Sequence, residues 1–256
     1  MSDGERVLIT GNSSGLGRGL SEAWLERGAE VYGLSRRGSP DLAGRVADQT
    51  CDLADLEASR DCLERLLGDA PGLDVAVLNA GVLGRIEDVS ATPLEEMRGV
   101  MDLNLWANKV VMDWLHAWGC PLGQVVMVSS GAAVLGNRGW GAYALSKAAL
   151  NMLARLYAHE FPGTHITALA PGIIDTPMMD YLCSEADAQA FPALQRLRDA
   201  RGTAAMPGPR EAAEQVVSVL GRLREHPSGS FVDIRSLLDP EAYRRLMAGR
   251  QGPGTG

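Results

Sequence analysis

The chain has 256 residues, of which 46% are hydrophobic and 22% charged, and this composition excludes disorder of the whole chain. A net charge of -8 and a pI near 5.1 argue against nucleic acids and anionic membranes as partners, since both attract clustered Lys and Arg. No apolar stretch approaches the roughly eighteen residues of a membrane span, and the N-terminus shows no signal-peptide pattern. We therefore expect a cytoplasmic protein.

Short apolar runs alternate with longer amphipathic ones along the chain. Runs such as VLIT and VVMVS contain no alternating polar residues, which is typical of parallel strands covered on both faces. The pattern predicts an α/β fold, a single doubly wound domain over 1–248 with a mostly parallel, seven-stranded sheet and helices on both faces. Strands are predicted at 6–10, 30–35, 45–51, 73–79, 124–129, 164–170 and 230–234, and helices near 15–28, 55–68, 94–118, 141–161 and 209–225.

Two segments break this rhythm. Residues 175–208 carry three prolines among apolar residues, with Pro209 directly after them, and follow the sixth strand, on the side where open α/β sheets bind ligands. We expect an irregular, mobile substrate lid there and a disordered tail over 249–256.

A glycine-rich sequence, TGNSSGLG at residues 10–17, joins the first strand to the first helix. Gly11 permits a sharp turn, Gly15 allows the backbone to approach a pyrophosphate, and Gly17 allows close packing of the helix on the sheet. The segment predicts nucleotide binding, with contacts from Gly11, Ser13, Ser14, Gly15, Leu16 and Gly17.

The glycine spacing, three residues and then one, resembles that of the short-chain dehydrogenase/reductase family, which has a Rossmann fold and binds a nicotinamide cofactor. Further matches follow in order over about residues 5–235: Asp52-Leu53, Asn79-Ala80-Gly81, Asn104, Ser130, Tyr143 with Lys147 in a YxxxK motif, Pro171-Gly172, Ile174 and Thr176. The resemblance implies that Tyr143, Lys147, Ser130 and Asn104 are catalytic and that the remaining matched residues contact the cofactor, as Tyr143 and Lys147 also do.

The chemistry of these residue types agrees with that resemblance. Tyr143 and Lys147 are one helical turn apart and can face the same cleft. A neighbouring ammonium and an oxidised nicotinamide would lower the tyrosine pKa, so that Tyr143 can exchange a proton with a carbonyl oxygen. Ser130 would hold the same oxygen, and Asn104 resembles the residue that anchors a proton-relaying water. Without the resemblance, Ser130 could simply cap a strand end and Asn104 could be a polar residue of the helix surface.

The second strand ends in Arg36-Arg37, and residues 33–38 contain no acid. An acidic residue there suits NAD, whereas an arginine suits the 2′-phosphate of NADP(H), which we predict as the cofactor through Arg36. Solvated loop arginines are the alternative, and Ser14 stands where many NADP-dependent relatives carry a second basic residue.

The expected substrate is a small-molecule carbonyl compound. The predicted cleft residues are mostly apolar, including Leu135, Trp140 and Met178, which favours an aromatic or alkyl ketone. The segments 79–84 and 228–233 resemble those of the sepiapterin reductase and benzil reductase branch, which implies a vicinal dicarbonyl and a substrate contact from Asp233. A last edge strand and turn at 228–233 is the alternative.

The sequence also bears on the oligomeric state, on metal binding and on alternative functions. Trp106, Val110, Trp114 and Trp118 form a stripe typical of core or subunit interface, and the family pairs this helix with its two-fold mate, which implies a homodimer or homotetramer. The four cysteines have no CxxC spacing, and no metal site is expected. A non-catalytic NADP(H)-binding regulatory protein is the alternative function. A sugar-nucleotide epimerase expects a different glycine spacing and a larger C-terminal domain.

Overall fold

The computed structural model describes residues 4–248. Its centre is a seven-stranded sheet in the order β3-β2-β1-β4-β5-β6-β7, and every neighbouring pair is parallel. The strands are β1 Arg6–Thr10, β2 Glu30–Ser35, β3 Val46–Thr50, β4 Leu73–Leu78, β5 Leu122–Val128, β6 His165–Ala170 and β7 Ser230–Asp233. The predicted fold class and all the predicted strands are confirmed, with ends that differ by at most two residues.

Helices cover both faces of the sheet. They are α1 Gly15–Glu26, α2 Leu56–Leu67, α3 Leu94–Met101, α4 Ala107–Trp118, α5 Ala132–Leu135, α6 Gly141–Glu160, α7 Pro177–Asp180, α8 Ala193–Ala200, α9 Pro209–Leu223, α10 Ile234–Leu238 and α11 Pro240–Ala248. None of the described helices is both long and apolar enough to cross a membrane.

The apolar strands are buried because each contributes to two cores. Along β1, Val7 and Ile9 pack into the core that contains α1 and α9 residues, while Leu8 packs into the opposite core with α2, α4 and α6 residues. All three side chains are fully buried. This two-sided burial explains why the strand sequences lack alternation.

The predicted helix at 94–118 is interrupted. A π-helical turn at Asp102–Trp106 separates α3 from α4, and Asn108 Nδ2 donates to the carbonyl oxygen of Asn104 at 2.8 Å. One extra residue in a turn widens the helix and rotates the side chains that follow. Asn104 lies inside this turn, fully buried.

The segment 175–208 is not irregular as expected. It contains α7, a second π-helical turn at Tyr181–Glu185, and α8. Leu182, Leu194 and Leu197 bury a small core of their own with Leu83 and Ile86 from the loop after β4. This packing gives the segment regular structure despite its prolines; its mobility stays a prediction, and the tail at 249–256 lies outside the described residues.

The strand order reverses at β1, whose neighbours are β2 and β4. Connections from the carboxyl ends of these strands leave in opposite directions and open a crevice between them. The glycine-rich loop follows β1 at this point, so the fold places it at the mouth of a cleft.

Candidate active site

The loop after β1 is shaped by its glycines. Gly11 has φ +71°, and a Cβ on it would lie 2.9 Å from the Ala80 Cα. A Cβ on Gly17 would lie 2.2 Å from the Gly11 oxygen, so only glycine lets α1 begin this close to the loop. Gly17 therefore supports the site from behind and is not among the residues that line the cleft.

The start of α1 offers free donors. Ser14, the residue before the helix, forms no side-chain cap, and the first N–H groups of a helix have no partner within it. Within the described residues, no acceptor meets the N–H groups of Gly15, Leu16 or Gly17. This cradle, with the positive end of the helix dipole, fits the pyrophosphate of a dinucleotide.

Thr10 fixes the neighbouring loop. Its hydroxyl oxygen accepts hydrogen bonds from the backbone N–H groups of Asn79 at 2.9 Å and of Ala80 at 3.1 Å. The Asn79 amide in turn donates to the Thr10 carbonyl oxygen at 3.1 Å. The ends of β1 and β4 are thereby joined where the predicted ribose contacts lie. Sequence reasoning missed Thr10, although it directly precedes the glycine motif.

The loop after β2 carries Arg36 and Arg37, both exposed and both lining the cleft. Among residues 4–248, neither guanidinium forms an ion pair. The loop itself is held by Asp48, which accepts hydrogen bonds from the Ser39 N–H and from Asn12 Nδ2. The arginines are therefore presented on an anchored loop with their charges available to an anion.

Tyr143, Lys147 and Ser130 meet at the carboxyl end of β5. Lys147 Nζ lies 5.7 Å from the centre of the Tyr143 ring and donates to the Val128 carbonyl oxygen at 2.7 Å. Lys147 is 3% exposed. The Ser130 hydroxyl lies beside Tyr143, where it acts to lower the pKa of the phenol, and it accepts from the Ala132 N–H at 3.1 Å.

Burial dominates the ionisation of this group. It raises the pKa of Tyr143, and the hydrogen bond with Ser130 offsets part of that rise. Burial also lowers the pKa of Lys147 to about 8, because the ammonium has left water. In the protein alone, desolvation therefore sets the direction of the Tyr143 pKa shift. The lowering expected beside an ammonium and an oxidised nicotinamide stays a prediction.

Asn104 lies behind these residues. Its Oδ1 accepts from the Val82 N–H at 2.8 Å, and its Nδ2 donates to the Val82 carbonyl at 2.8 Å and to Ser146 Oγ at 2.9 Å. A Cβ on Gly81 would lie 3.0 Å from Asn104 Oδ1 and 3.5 Å from Lys147 Nζ. Asn104 thus ties the loop after β4 to α6 beside the lysine, which excludes the helix-surface alternative.

One cleft of about 430 Å³ brings the predicted residues together. It is lined by Tyr143, Lys147 and Ser130, by the predicted substrate residues Leu135, Trp140 and Met178, and by the predicted cofactor residues Gly11, Ser13, Ser14, Gly15, Leu16, Arg36, Asp52, Leu53, Asn79, Ala80, Gly81, Pro171, Gly172, Ile174 and Thr176. No group of His, Cys, Asp and Glu suited to a metal occurs in the described part of the chain.

Asp233 departs from its predicted place. It is 5% exposed, does not line the cleft, and forms a two-point ion pair with Arg235 at 2.8 and 2.6 Å. Arg235 lines the cleft instead of Asp233, and Arg196 of α8 also lines it. Sequence reasoning missed both arginines. Arg235 could have been found from its position two residues beyond Asp233 at a strand end. Nothing in the sequence pointed to Arg196.

Comparison with known proteins identifies the family. A model described as short chain dehydrogenase matches residues 5–187. The benzil reductase ((S)-benzoin forming) of Bacillus subtilis is 29% identical over 246 residues, which are 91% of this chain and 100% of that protein. The 1-deoxy-11-beta-hydroxypentalenate dehydrogenase of Streptomyces exfoliatus is 36% identical over 197 residues, 69% of this chain and 70% of that protein.

A solved structure agrees with this placement. A putative NAD(P) dependent gluconate 5-dehydrogenase from Beutenbergia cavernae, with bound NADP at low occupancy, superposes with a TM-score of 0.74 at 26% identity. The match covers 91% of this chain and 96% of that one. With the glycine-rich turn, the tyrosine–lysine pair and the matched model in agreement, the chain belongs to the short chain dehydrogenase family of oxidoreductases.

Proposed function

We propose that the chain is an NADPH-dependent carbonyl reductase that converts a ketone to an alcohol with Tyr143 as general acid. The observation that carries this proposal is the convergence of Tyr143, Lys147 and Ser130 on one cleft with the free N–H groups of α1. A nicotinamide cofactor supplies the hydride when bound. The protein's task is then to hold the carbonyl and to provide the proton.

Tyr143 provides that proton from its hydroxyl oxygen to the carbonyl oxygen as the carbonyl carbon receives the hydride. Burial raises its pKa, so the phenol carries its proton at neutral pH. The Lys147 ammonium and a bound oxidised nicotinamide would bring that pKa back toward the working pH, as an efficient general acid requires. Ser130, which lines the same cleft, donates to the carbonyl oxygen and fixes its position. The Lys147 ammonium stabilises the phenolate that forms, and Tyr143 then recovers a proton from solvent along the polar groups near Asn104.

The preference for NADPH rests on Arg36. Its guanidinium is exposed at the cleft, on a loop anchored by Asp48, and it can bind a 2′-phosphate in two-point fashion. A 2′-hydroxyl alone offers no charge to match it. Arg37 beside it adds positive potential, and Asp52, which lines the cleft after β3, would contact the adenine.

The substrate half of the cleft favours an apolar ketone or a vicinal dicarbonyl. Leu135, Trp140 and Met178 line it, and Trp140 packs 6.3 Å from the Tyr143 ring, centre to centre. A benzil reductase among the relatives supports a dicarbonyl with aromatic groups. The pentalenate dehydrogenase is a relative whose name points to an alcohol, which the same residues would serve in the reverse direction.

We also propose a cytoplasmic homodimer or homotetramer. Four large apolar side chains on and beside α6 are more than two-fifths exposed: Trp106, Leu145, Met152 and Leu156. Such a patch is typical of a subunit interface. Trp114 and Trp118 of the predicted stripe stack on one another at 5.4 Å and are partly buried within the chain, so only part of that stripe is available to a partner.

The test is consumption of NADPH with benzil, 1-phenyl-1,2-propanedione and sepiapterin, repeated with NADH. We expect turnover of the diketones with NADPH and poor use of NADH. Tight NADPH binding without turnover on a broad panel of ketones would overturn the reductase proposal. It would favour a non-catalytic NADP(H)-binding regulatory protein. Such a protein would not need a buried Lys147 beside Tyr143.

A further inference from the structure

Arg235 lies at the substrate end of the cleft, beside the proposed carbonyl site. It follows β7 in α10, and its Nη2 lies 3.7 Å from the point that a Cβ on Gly131 would occupy. The Leu135 side chain comes within 3.6 Å of that same point. Because Gly131 directly follows Ser130, the guanidinium lies next to the residue that would hold the reacting oxygen.

The guanidinium is held in a fixed orientation. Its Nε and Nη2 donate to the two carboxylate oxygens of Asp233 at 2.8 and 2.6 Å, and Asp233 also accepts from the Arg235 N–H at 3.1 Å. The Tyr243 ring lies 6.0 Å from the guanidinium carbon. Within residues 4–248, no acceptor meets Nη1. One pair of N–H donors therefore stays available in a positioned, charged group.

The charges around the cleft favour an oxygen acceptor at this end. Among the described residues that line the cleft, Asp52 is the one acid, and it follows β3, at the opposite edge of the sheet from β7. Arg196 and Arg235 line the substrate end, and the Asp233 carboxylate that pairs with Arg235 is buried away from the cleft. A guanidine-like ring edge, such as that of a pterin, would meet a cation, because Arg235 already occupies both oxygens of Asp233.

We propose that Arg235, positioned by Asp233, determines substrate specificity by donating a hydrogen bond to an oxygen on the carbon next to the reacting carbonyl. This inference rests on the proposed reductase function and narrows its substrates. A vicinal diketone or a 2-oxo acid has that second oxygen, whereas a simple ketone lacks it. Sepiapterin, whose pterin ring would need the Asp233 carboxylate, becomes a poor substrate.

The test compares benzil with deoxybenzoin, which has the same carbon skeleton without the second oxygen. The variant D233N/R235M removes the ion pair without leaving a buried carboxylate unpaired. We expect kcat/KM for benzil to fall about 10- to 100-fold, as for loss of a charged hydrogen bond. For deoxybenzoin we expect a change within about threefold. Should the double variant fail to fold, Arg235→Lys, which keeps the charge but lacks the forked donors, is expected to lower the ratio of the two kcat/KM values in the same direction.

A matched control breaks an arginine–carboxylate pair away from the cleft. Arg27 of α1 pairs with Glu214 of α9, and R27M/E214Q is expected to leave both substrates unaffected. Equal losses on benzil and deoxybenzoin, or an unchanged benzil value in both Arg235 variants, would overturn the inference. Phenylglyoxylate separates the two sources of the second oxygen, because a wild-type preference for it over benzil identifies a carboxylate.

A binding measurement tests the role of Arg235 independently of the proposed reductase function. Calorimetric titration of the protein with benzil and with deoxybenzoin needs no turnover. Benzil binding that weakens in D233N/R235M, in a protein that reduces neither compound, would refute the reductase and retain the role of Arg235. Turnover of both compounds, with no preference for benzil that depends on Arg235, would support the reductase and refute the role of Arg235.

Discussion

The Nζ atom of Lys147 lies 5.7 Å from the centre of the Tyr143 ring, yet its hydrogen bond goes to the Val128 carbonyl oxygen at the end of β5, 2.7 Å away. The ammonium is thus fixed to the sheet, and Tyr143 and Ser130 line the cleft beside it. Because Lys147 is almost fully buried, its charge acts at short range with little screening by water. The proposed acid therefore works next to a charge whose position the strand sets.

The pH dependence of carbonyl reduction follows from Lys147. Its pKa is lowered to about 8, so the ammonium is present below that pH and is lost as the pH rises through it. Loss of the charge removes the stabilisation of the phenolate, so kcat/KM should fall with rising pH around 8. Initial rates at constant ionic strength from about pH 6 to about pH 10 measure this profile. Lys147→Arg, which stays protonated throughout, should lose the decline; a flat wild-type profile would contradict the assignment.

Arg36 should control the choice between cofactors. Arg36→Ala is expected to raise the Kd for NADPH about 10- to 100-fold, because a charged hydrogen bond to the 2′-phosphate is lost. The Kd for NADH should change little. Arg45→Ala, another exposed arginine just beyond this loop, is the matched control. Titration of both cofactors by fluorescence decides the point, and equal weakening of NADPH and NADH would show that Arg36 does not read the phosphate.

Asn104 should contribute to stability as well as to turnover. In Asn104→Ala, the Val82 backbone groups and Ser146 lose partners in a buried place. We expect the free energy of unfolding to fall by about 2–4 kcal/mol. Asn104→Asp keeps the acceptor for the Val82 N–H, so its free energy of unfolding should lie between those of the wild type and Asn104→Ala. Urea unfolding measures both, and a stability unchanged in Asn104→Ala would refute this account of the loop.

The exposed apolar patch predicts an assembly that charge can disrupt. Met152 and Leu156 are one turn apart on α6 and more than half exposed. M152E/L156E should convert a dimer or tetramer to monomers in sedimentation velocity. Leu238→Glu, at an exposed apolar residue of α10, should leave the assembly intact. A wild-type monomer at micromolar concentration would remove the basis of this prediction.

The central fold could be predicted from sequence because its signals are local. Apolar runs mark the strands, and the sheet then brings their carboxyl ends together, which is why Gly11, Asn79 and Ser130 line one cleft. The π-helical turn at Asp102–Trp106 could not be predicted in this way. It changes the hydrogen-bond pattern of an otherwise helical sequence by one residue, and apolar periodicity is too coarse to register that change.

Contacts between segments that are distant in sequence were harder to predict than the strands and helices. Asp233 was expected to face the substrate, but Arg235 folds back from α10 and takes both of its oxygens. The prolines of 175–208 suggested irregular structure, whereas short helices form there because Leu182, Leu194 and Leu197 find a common core. Both outcomes depend on neighbours that only the folded chain provides. The direction of the Tyr143 pKa likewise depends on burial, which a sequence motif does not report.

The most direct test of the account is Tyr143→Phe, assayed by NADPH consumption with benzil. We expect kcat to fall about 10²- to 10⁴-fold, the usual contribution of a general acid, while the Kd for NADPH changes far less. Tyr157→Phe makes the same change on the same helix, at a tyrosine bonded to Asp113 outside the cleft, and should retain activity. Turnover of Tyr143→Phe close to that of the wild type would contradict the assignment of Tyr143 as the acid.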